Sequence, residues 1–196
     1  MRLVNRIRMW LAVALAASAL TGCAYSINGT PVPMAGGEAA TSASTTSSSS
    51  GGAPKIAKQR TVAGVDPCKL LTADDLKPIG KLTKDPARKD DVIQESCQYV
   101  VDDGSAGGRS VVTALYQQYE QVRARQGKGH EEVVDGHSAW VYCDAGSGDM
   151  ACTATIAVNK NRSVLVAMTT KTGVADQVLA TMQPLMKAVL SRMPLA

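Results

Sequence analysis

One stretch near the C-terminus decides the fold: Val174-Ala-Asp-Gln-Val-Leu-Ala-Thr-Met-Gln-Pro-Leu-Met-Lys-Ala-Val-Leu-Ser-Arg-Met193. Asp176 suits the first turn of a helix, Thr172 or Gly173 is expected to cap its start, and Pro184 is expected to kink it. The apolar residues recur at helical spacing along about five turns: Val174, Val178, Leu179, Met182, Leu185, Met186, Val189, Leu190 and Met193. Such a helix needs an apolar surface to cover.

A predicted antiparallel sheet supplies that surface. Runs of β-branched and aromatic residues, bounded by turn residues, predict strands at 97–101, 110–116, 138–143, 152–158 and 163–170. Shorter helices are predicted at 70–76, where Thr72 is a capping residue, and at 119–126. Residues 84–91 and 144–150 are predicted loops. The sequence therefore predicts an α+β domain over residues 65–196: an antiparallel sheet of about five strands packed by a long C-terminal helix and two shorter helices.

Residues 1–22 have the features of an export signal. Three arginines precede an apolar run of about 12 residues, which is too short to span a bilayer. Leu20-Thr21-Gly22-Cys23 matches the bacterial lipobox residue for residue, and the cysteine of a lipobox is acylated before cleavage. An ordinary signal peptide with an incidental Cys23 is the alternative. We expect a mature chain that begins at acylated Cys23 and is lipid-anchored at the extracytoplasmic face of the cell membrane.

Residues 23–64 are predicted to form the acylated cysteine and a disordered tether. The segment consists mainly of Ser, Thr, Ala, Gly and Pro, so it has little apolar surface to offset its ordering entropy. A flexible linker of this length spans roughly 35 Å. Removal of residues 1–22 takes away three of the 21 basic residues and leaves 18 against 17 acidic ones. The mature protein is therefore nearly neutral, and no basic surface for nucleic acid is expected.

Four cysteines remain after Cys23, and in an exported protein an even number indicates disulfides. Three pairings are possible. The strands at 138–143 and 152–158 place Cys143 opposite Cys152 across a hairpin, which leaves Cys68 to pair with Cys97. Chain-entropy estimates give about 2.7 and 3.6 kcal/mol for the short and the long loop. We expect both bonds to be structural, because the Cys-x-x-Cys spacing of redox and zinc sites is absent from the sequence.

The candidates for chemistry cluster in His130-Glu131-Glu132-Val133-Val134-Asp135-Gly136-His137. This run is not the His-Glu-x-x-His zinc pattern, and Asp135-Gly136 would break a helix, so we interpret it as exposed turn residues and expect no metal site. Ser138 follows His137, but neighbours in a strand point to opposite faces. Neither a Gly-x-Ser-x-Gly motif nor a phosphate loop is present, so we expect no enzymatic activity and no cofactor.

Trp140 and Tyr142 form a possible recognition face. They alternate with the positions that carry Cys143, so they point away from the side that the C-terminal helix covers. An uncovered tryptophan and tyrosine on a sheet would make a recognition surface. In the alternative, the first helix or the helix at 119–126 covers them.

Several of these motifs together carry a resemblance. They are the lipobox, the Ser/Thr tether, Val65-Asp66-Pro67-Cys68, Cys97-Gln98-Tyr99 and Asp135-Gly136-His137-Ser138-Ala139. With them the chain resembles an actinobacterial lipoprotein family of unknown function, of the mycobacterial LprB/LprC type. The order of elements resembles the Mog1/PsbP-like fold more loosely. The resemblance implies a cell-envelope location and a non-catalytic role, with no catalytic residues to carry over.

The expected function is a non-catalytic binding or accessory module held at the membrane through the lipid on Cys23. Its partner would be an envelope protein or a glycolipid, and we expect a monomer that does not bind nucleic acid. One alternative is a lipid or glycolipid carrier with an apolar pocket under the C-terminal helix, motivated by Met168, Met182, Met186 and Met193. A less favoured alternative is an envelope hydrolase that uses His137.

Overall fold

The computed structural model describes residues 52–146 and 148–196. The predicted signal peptide, the lipidation site at Cys23 and most of the predicted tether lie outside these residues. The strands are β1 Lys81–Leu82, β2 Ala87–Arg88, β3 Ser96–Asp102, β4 Arg109–Tyr116, β5 His130–Val134, β6 His137–Gly146, β7 Asp149–Ala157 and β8 Ser163–Thr170. The α-helices are α1 Ala73–Leu76, α2 Tyr119–Arg125 and α3 Ala175–Arg192, with short 3-10 helices at Pro67–Lys69 and Lys77–Ile79.

The strands form one open antiparallel sheet of eight strands. Their order is β1-β3-β4-β8-β7-β6-β5, and β2 also pairs with β3. The hairpins β3–β4, β5–β6, β6–β7 and β7–β8 join neighbours in sequence, whereas β8 returns to lie beside β4. The predicted mixture of helices on an antiparallel sheet is confirmed, and so is the long C-terminal helix. The predicted number of about five strands is wrong.

Three strands were missed for physical reasons. β1 and β2 contain two residues each, which is too short for an alternating pattern to be recognised. β5 lies in the run predicted as exposed turn residues, and its first four residues include three polar side chains because it is an edge strand. The predicted loop at 144–150 is also corrected, because β6 and β7 remain paired as far as Gly146 and Asp149.

α3 packs on one face of the sheet and forms the main core with it. Val178, Leu179, Met182, Leu185, Met186, Val189 and Leu190 are its buried residues, as the helical spacing predicted. Met168, Met182, Met186 and Met193 are each at most 2% exposed. α3 begins after Val174 without a side-chain cap, so the predicted cap at Thr172 or Gly173 is wrong.

α1 is tied to the end of α3. Thr72 and Asp75 form a capping box in which each side chain accepts a hydrogen bond from the backbone of the other residue. The guanidinium of Arg192 pairs with Asp75 at 2.8 Å and donates to the Leu70 carbonyl at 3.1 Å. Burial alone would raise the pKa of the Asp75 carboxyl, but the hydrogen bonds from Thr72 and Arg192 outweigh it and hold that pKa below its ordinary value.

Two disulfides brace the domain, and their pairing is the one that the hairpin argument favours. Cys68 bonds to Cys97, with 5.0 Å between their Cα atoms, and so ties the first 3-10 helix to β3. Cys143 bonds to Cys152, its directly opposite residue in the β6–β7 hairpin, with 4.1 Å between the Cα atoms. The two bonds therefore restrain opposite halves of the sheet.

Residues 55–61, here called the strap, pack against the domain although the sequence analysis assigned them to the tether. The Ser138 N–H donates to the Lys55 carbonyl at 2.8 Å, and the Lys55 N–H donates to Ser138 Oγ at 2.8 Å. Arg60 donates from its guanidinium to the Met193 carbonyl at 2.6 Å. The ordered chain therefore begins before residue 65, and the strap joins the start of β6 to the end of α3.

Candidate functional site

α2 covers one end of the second face of the sheet, the face turned away from α3. Tyr119 and Trp140 are 1% and 6% exposed and pack with Ala157, while Ile56 of the strap closes the cluster. The indole N–H of Trp140 donates to the Gln126 carbonyl at 3.0 Å. The prediction that Trp140 is part of an exposed recognition face is therefore wrong. The alternative, in which the helix at 119–126 covers it, is the arrangement found.

The rest of the second face has no helix over it among the described residues. Tyr142 lies here and is half-buried. A row of directly paired residues crosses five strands from β3 to β6: Gln98, Val112, Ala167, Thr153 and Tyr142. The next row consists of Val100, Ser110, Thr169, Ala151 and Asp144. We call these ten residues the open face.

The open face has an uncharged centre and charges at its margin. Nine of its ten residues are uncharged, and Asp144 stands at the end of its row on β6. Asp149, two residues before Ala151 on β7, pairs with Lys171 at 2.6 Å. Protein interfaces commonly have a core depleted of charge and a polar rim. Five strands spaced by about 4.8 Å give the face a width of roughly 20 Å.

Ser138 and His137 do not form a catalytic pair. The Ser138 hydroxyl donates to Glu131 Oε1 and lies on the α2 side of the sheet, near Tyr119. His137 is buried, and its Nδ1 lies 2.7 Å from the Ala157 carbonyl. Alternation along β6 puts the two side chains on opposite faces. Burial, together with the nearby Glu131 carboxylate, raises the pKa of Tyr119, so this phenol stays protonated at neutral pH.

The two histidines lie in different environments, one exposed and one buried. His130 is exposed and its Nε2 lies 3.3 Å from Glu132 Oε1, whereas His137 is buried against a backbone carbonyl. Within residues 52–146 and 148–196, His, Cys, Asp and Glu side chains do not gather into a group of three that could hold a metal ion. In the same residues, no helix has the length and apolar character needed to cross a bilayer.

A small cleft lies beside the start of α3, where the lipid-carrier alternative would need its pocket. Its volume is about 230 Å³, and its lining includes Arg109, Met168, Thr170, Gln177 and Val178. Ligand pockets usually measure about 300–1,000 Å³. Met168 contributes to this cleft, and all four methionines that motivated the alternative are at most 2% exposed in the core.

Comparison with known proteins identifies a family. A family model described as "Protein of unknown function (DUF3558)" matches residues 18–180, a range that includes Cys23 and all eight strands. No curated protein and no solved structure matches the chain.

Proposed function

The chain belongs to the DUF3558 family, and we propose that it is a lipid-anchored accessory protein of the cell envelope. In this proposal it binds a partner protein and catalyses no reaction itself. The observation that carries the proposal is the open face, since a sheet covered on one side and only partly covered on the other exposes a broad surface with an uncharged centre.

The open face suits a protein partner better than a small ligand. It spreads across five strands and none of its residues lines the cleft beside α3, whereas a small molecule needs a concave site that encloses most of its surface. Val100, Val112, Ala151, Ala167 and Tyr142 provide apolar area between the polar side chains. A width of roughly 20 Å corresponds to the small patches of transient complexes.

The membrane anchor is the second part of the proposal. Leu20-Thr21-Gly22-Cys23 has the lipobox pattern, and the family match begins at residue 18. Replacing Cys23 with serine should abolish incorporation of an alkyne-labelled fatty acid and shift the protein from the membrane fraction to the medium. Retention of both the label and the membrane association in Cys23→Ser would refute the anchor.

We propose that the protein is not a serine hydrolase because of the surroundings of Ser138 and His137, the only serine and histidine that are adjacent in the sequence. Ser138 is hydrogen-bonded to the Glu131 carboxylate and to the Lys55 N–H, and its hydroxyl lies away from the buried His137 imidazole. A serine nucleophile must also be open to its substrate, whereas Ser138 is 0% exposed. We expect the protein to remain unlabelled by fluorophosphonate probes of serine hydrolases, and labelling that Ser138→Ala removes would contradict this.

Photo-crosslinking in cells tests the binding surface. A photoreactive amino acid at Ala167, in the middle of the open face, should give a reproducible crosslinked protein. The control position is Lys187, which is exposed on α3 on the other side of the sheet. Products that are the same from both positions, or products at background level from Ala167, would count against the open face.

The lipid-carrier alternative has its own measurement. The sample is the Cys23→Ser protein, purified without detergent. Native mass spectrometry should give the mass of its sequence less the hydrogens lost when the two disulfides form. A reproducible excess mass that corresponds to an acyl chain or glycolipid would favour the carrier over the binding module.

A further inference from the structure

A second concave site lies at the end of the sheet where β4 finishes and β8 begins. Its volume is about 460 Å³, and its lining includes Gln94, Glu95, Leu115, Tyr116, Gln117 and Arg162. This volume falls within the usual range for small-molecule sites, about 300–1,000 Å³. We call it the Arg162 cleft. None of its lining residues belongs to the open face.

The floor of the Arg162 cleft is held in place by hydrogen bonds. Arg162 donates from Nε to the Tyr116 carbonyl at 2.9 Å and from Nη2 to the Leu115 carbonyl at 3.2 Å. The same Nη2 pairs with Glu95 at 2.5 Å. One side chain therefore joins β4, β8 and the segment that leads into β3.

Glu95 adopts a backbone conformation that is unusual for its residue type. Its φ is 52°, in the left-handed region that non-glycine residues seldom occupy. The Leu115 N–H donates to its carbonyl at 3.1 Å, and Arg162 holds its carboxylate. Residues in such conformations persist only where their surroundings fix them, and they cluster at binding sites.

The charges of the cleft cancel. Glu95 and Arg162 are its only ionisable lining residues apart from the Tyr116 phenol, and they pair with each other. A free phosphate or carboxylate in the cleft would meet the Glu95 carboxylate, and a cation would meet the Arg162 guanidinium. An uncharged ligand therefore fits the cleft better than either ion.

Several polar groups in the cleft are left for a ligand. Among the described residues, the side chains of Gln94 and Tyr116 have no hydrogen-bond partner, and Gln117 uses only its Oε1, which accepts from Arg125 at 2.8 Å. Amide and phenol groups both donate and accept hydrogen bonds. Leu115 and the exposed Val92, at 81%, add apolar surface. This combination matches a molecule that carries many hydroxyl groups on an apolar ring.

We propose that the Arg162 cleft binds a neutral saccharide unit. The inference uses residues outside the open face, so it stands whether or not that face binds a protein. Amides of Gln94 and Gln117 would bond to sugar hydroxyls, and Tyr116 with the apolar residues would contact the ring. The Arg162–Glu95 pair is a positioning element that keeps the floor rigid.

Saturation-transfer NMR tests the proposal on the mature lipoprotein, held in a detergent that has no sugar headgroup. The probes are chitobiose, mannobiose and galactobiose, each tested alone and then with inorganic phosphate. At least one disaccharide should receive saturation, and phosphate should not displace it. Losing one neutral hydrogen bond should weaken the affinity of Gln117→Ala by about threefold to tenfold.

Tyr116→Leu and Tyr142→Leu are the matched variants, because both tyrosines are half-buried on the second face but only Tyr116 lines the cleft. Tyr116→Leu should lose the saturation transfer and Tyr142→Leu should retain it, with both variants unfolding at closely similar temperatures. No transfer to any disaccharide would overturn the proposal. Transfer that survives in Tyr116→Leu together with an unchanged affinity in Gln117→Ala, or displacement by phosphate, would also overturn it.

Discussion

Trp140 is the largest side chain buried on the second face, where α2, Ile56 and Ala157 surround it. Removing a buried tryptophan leaves a cavity, so Trp140→Ala should lower the free energy of unfolding by about 3–5 kcal/mol. Tyr142→Ala, on the half-buried open face, should lower it by less than about 1.5 kcal/mol. Urea denaturation measures both. Equal losses from the two changes would place Trp140 outside the core.

Gly129 lies against the same indole. A Cβ at this position would overlap Trp140 Nε1 and stand 2.7 Å from the Val141 carbonyl, whereas a Cβ at Gly127 would meet nothing within 4 Å. Gly129→Ala should therefore destabilise the domain by about 1–3 kcal/mol through overpacking. Gly127→Ala is the matched control and should leave thermal unfolding nearly unchanged. Similar melting temperatures for the two variants would contradict this contact.

Asp75 makes the free energy of unfolding of the domain depend on pH. Its pKa is held below the ordinary value in the folded state, so its contribution is present at neutral pH and is lost as the pH falls through the folded pKa. Asp75→Asn should therefore lower the free energy of unfolding at neutral pH. The difference from wild type should shrink once the pH is below about 4. A difference that grows on acidification would mean that the sign of the shift is wrong.

The strap is the element that joins the two ends of the domain. The Ala196 N–H donates to the Gln59 carbonyl at 3.0 Å, and Arg60 holds the end of α3 through Met193. A chain that starts at residue 65 should be less stable than one that starts at residue 52, by at least about 2 kcal/mol, because several hydrogen bonds contribute about 0.5–1.5 kcal/mol each. Equal urea midpoints would show that the strap is dispensable.

The elements differ in how far their sequence patterns predict them. α3, β4 and β8 are long and regular, and the capping box at Thr72 is a local motif, so all of these could be predicted. β5 could not, because an edge strand that begins with a histidine and two glutamates has no apolar alternation. The strap is polar and makes its hydrogen bonds to residues far along the chain, which leaves no local signal.

The candidate site was only partly predictable for a related reason. Alternation along β6 correctly placed Trp140 and Tyr142 on the face turned away from α3. Which part of that face α2 covers depends on a tertiary contact. Tyr119 and Val122, one helical turn apart, were the available signal for an apolar side of α2. The Arg162 cleft joins three distant segments, and the sequence gives no local sign of it.

In the described residues the sheet has one face under α3 and a second face that α2 covers only in part, and the described chain starts on the second side. The guanidinium of Arg123 on α2 reaches the Gly52 carbonyl at 3.5 Å, so the described residues begin beside α2. α3 and both disulfides keep the sheet rigid from the other side. A sheet braced in this way holds the residues of the open face in fixed positions relative to one another.

The most direct test of the open face is its accessibility on cells. Ala167→Cys introduces a thiol at the centre of the open face, and Lys187→Cys introduces one on the exposed side of α3. Labelling with a small maleimide should reach both thiols in the purified protein. On intact cells, the thiol at 167 should be protected at least several-fold while the thiol at 187 reacts as before. Equal labelling of both positions on cells would contradict a partner at the open face.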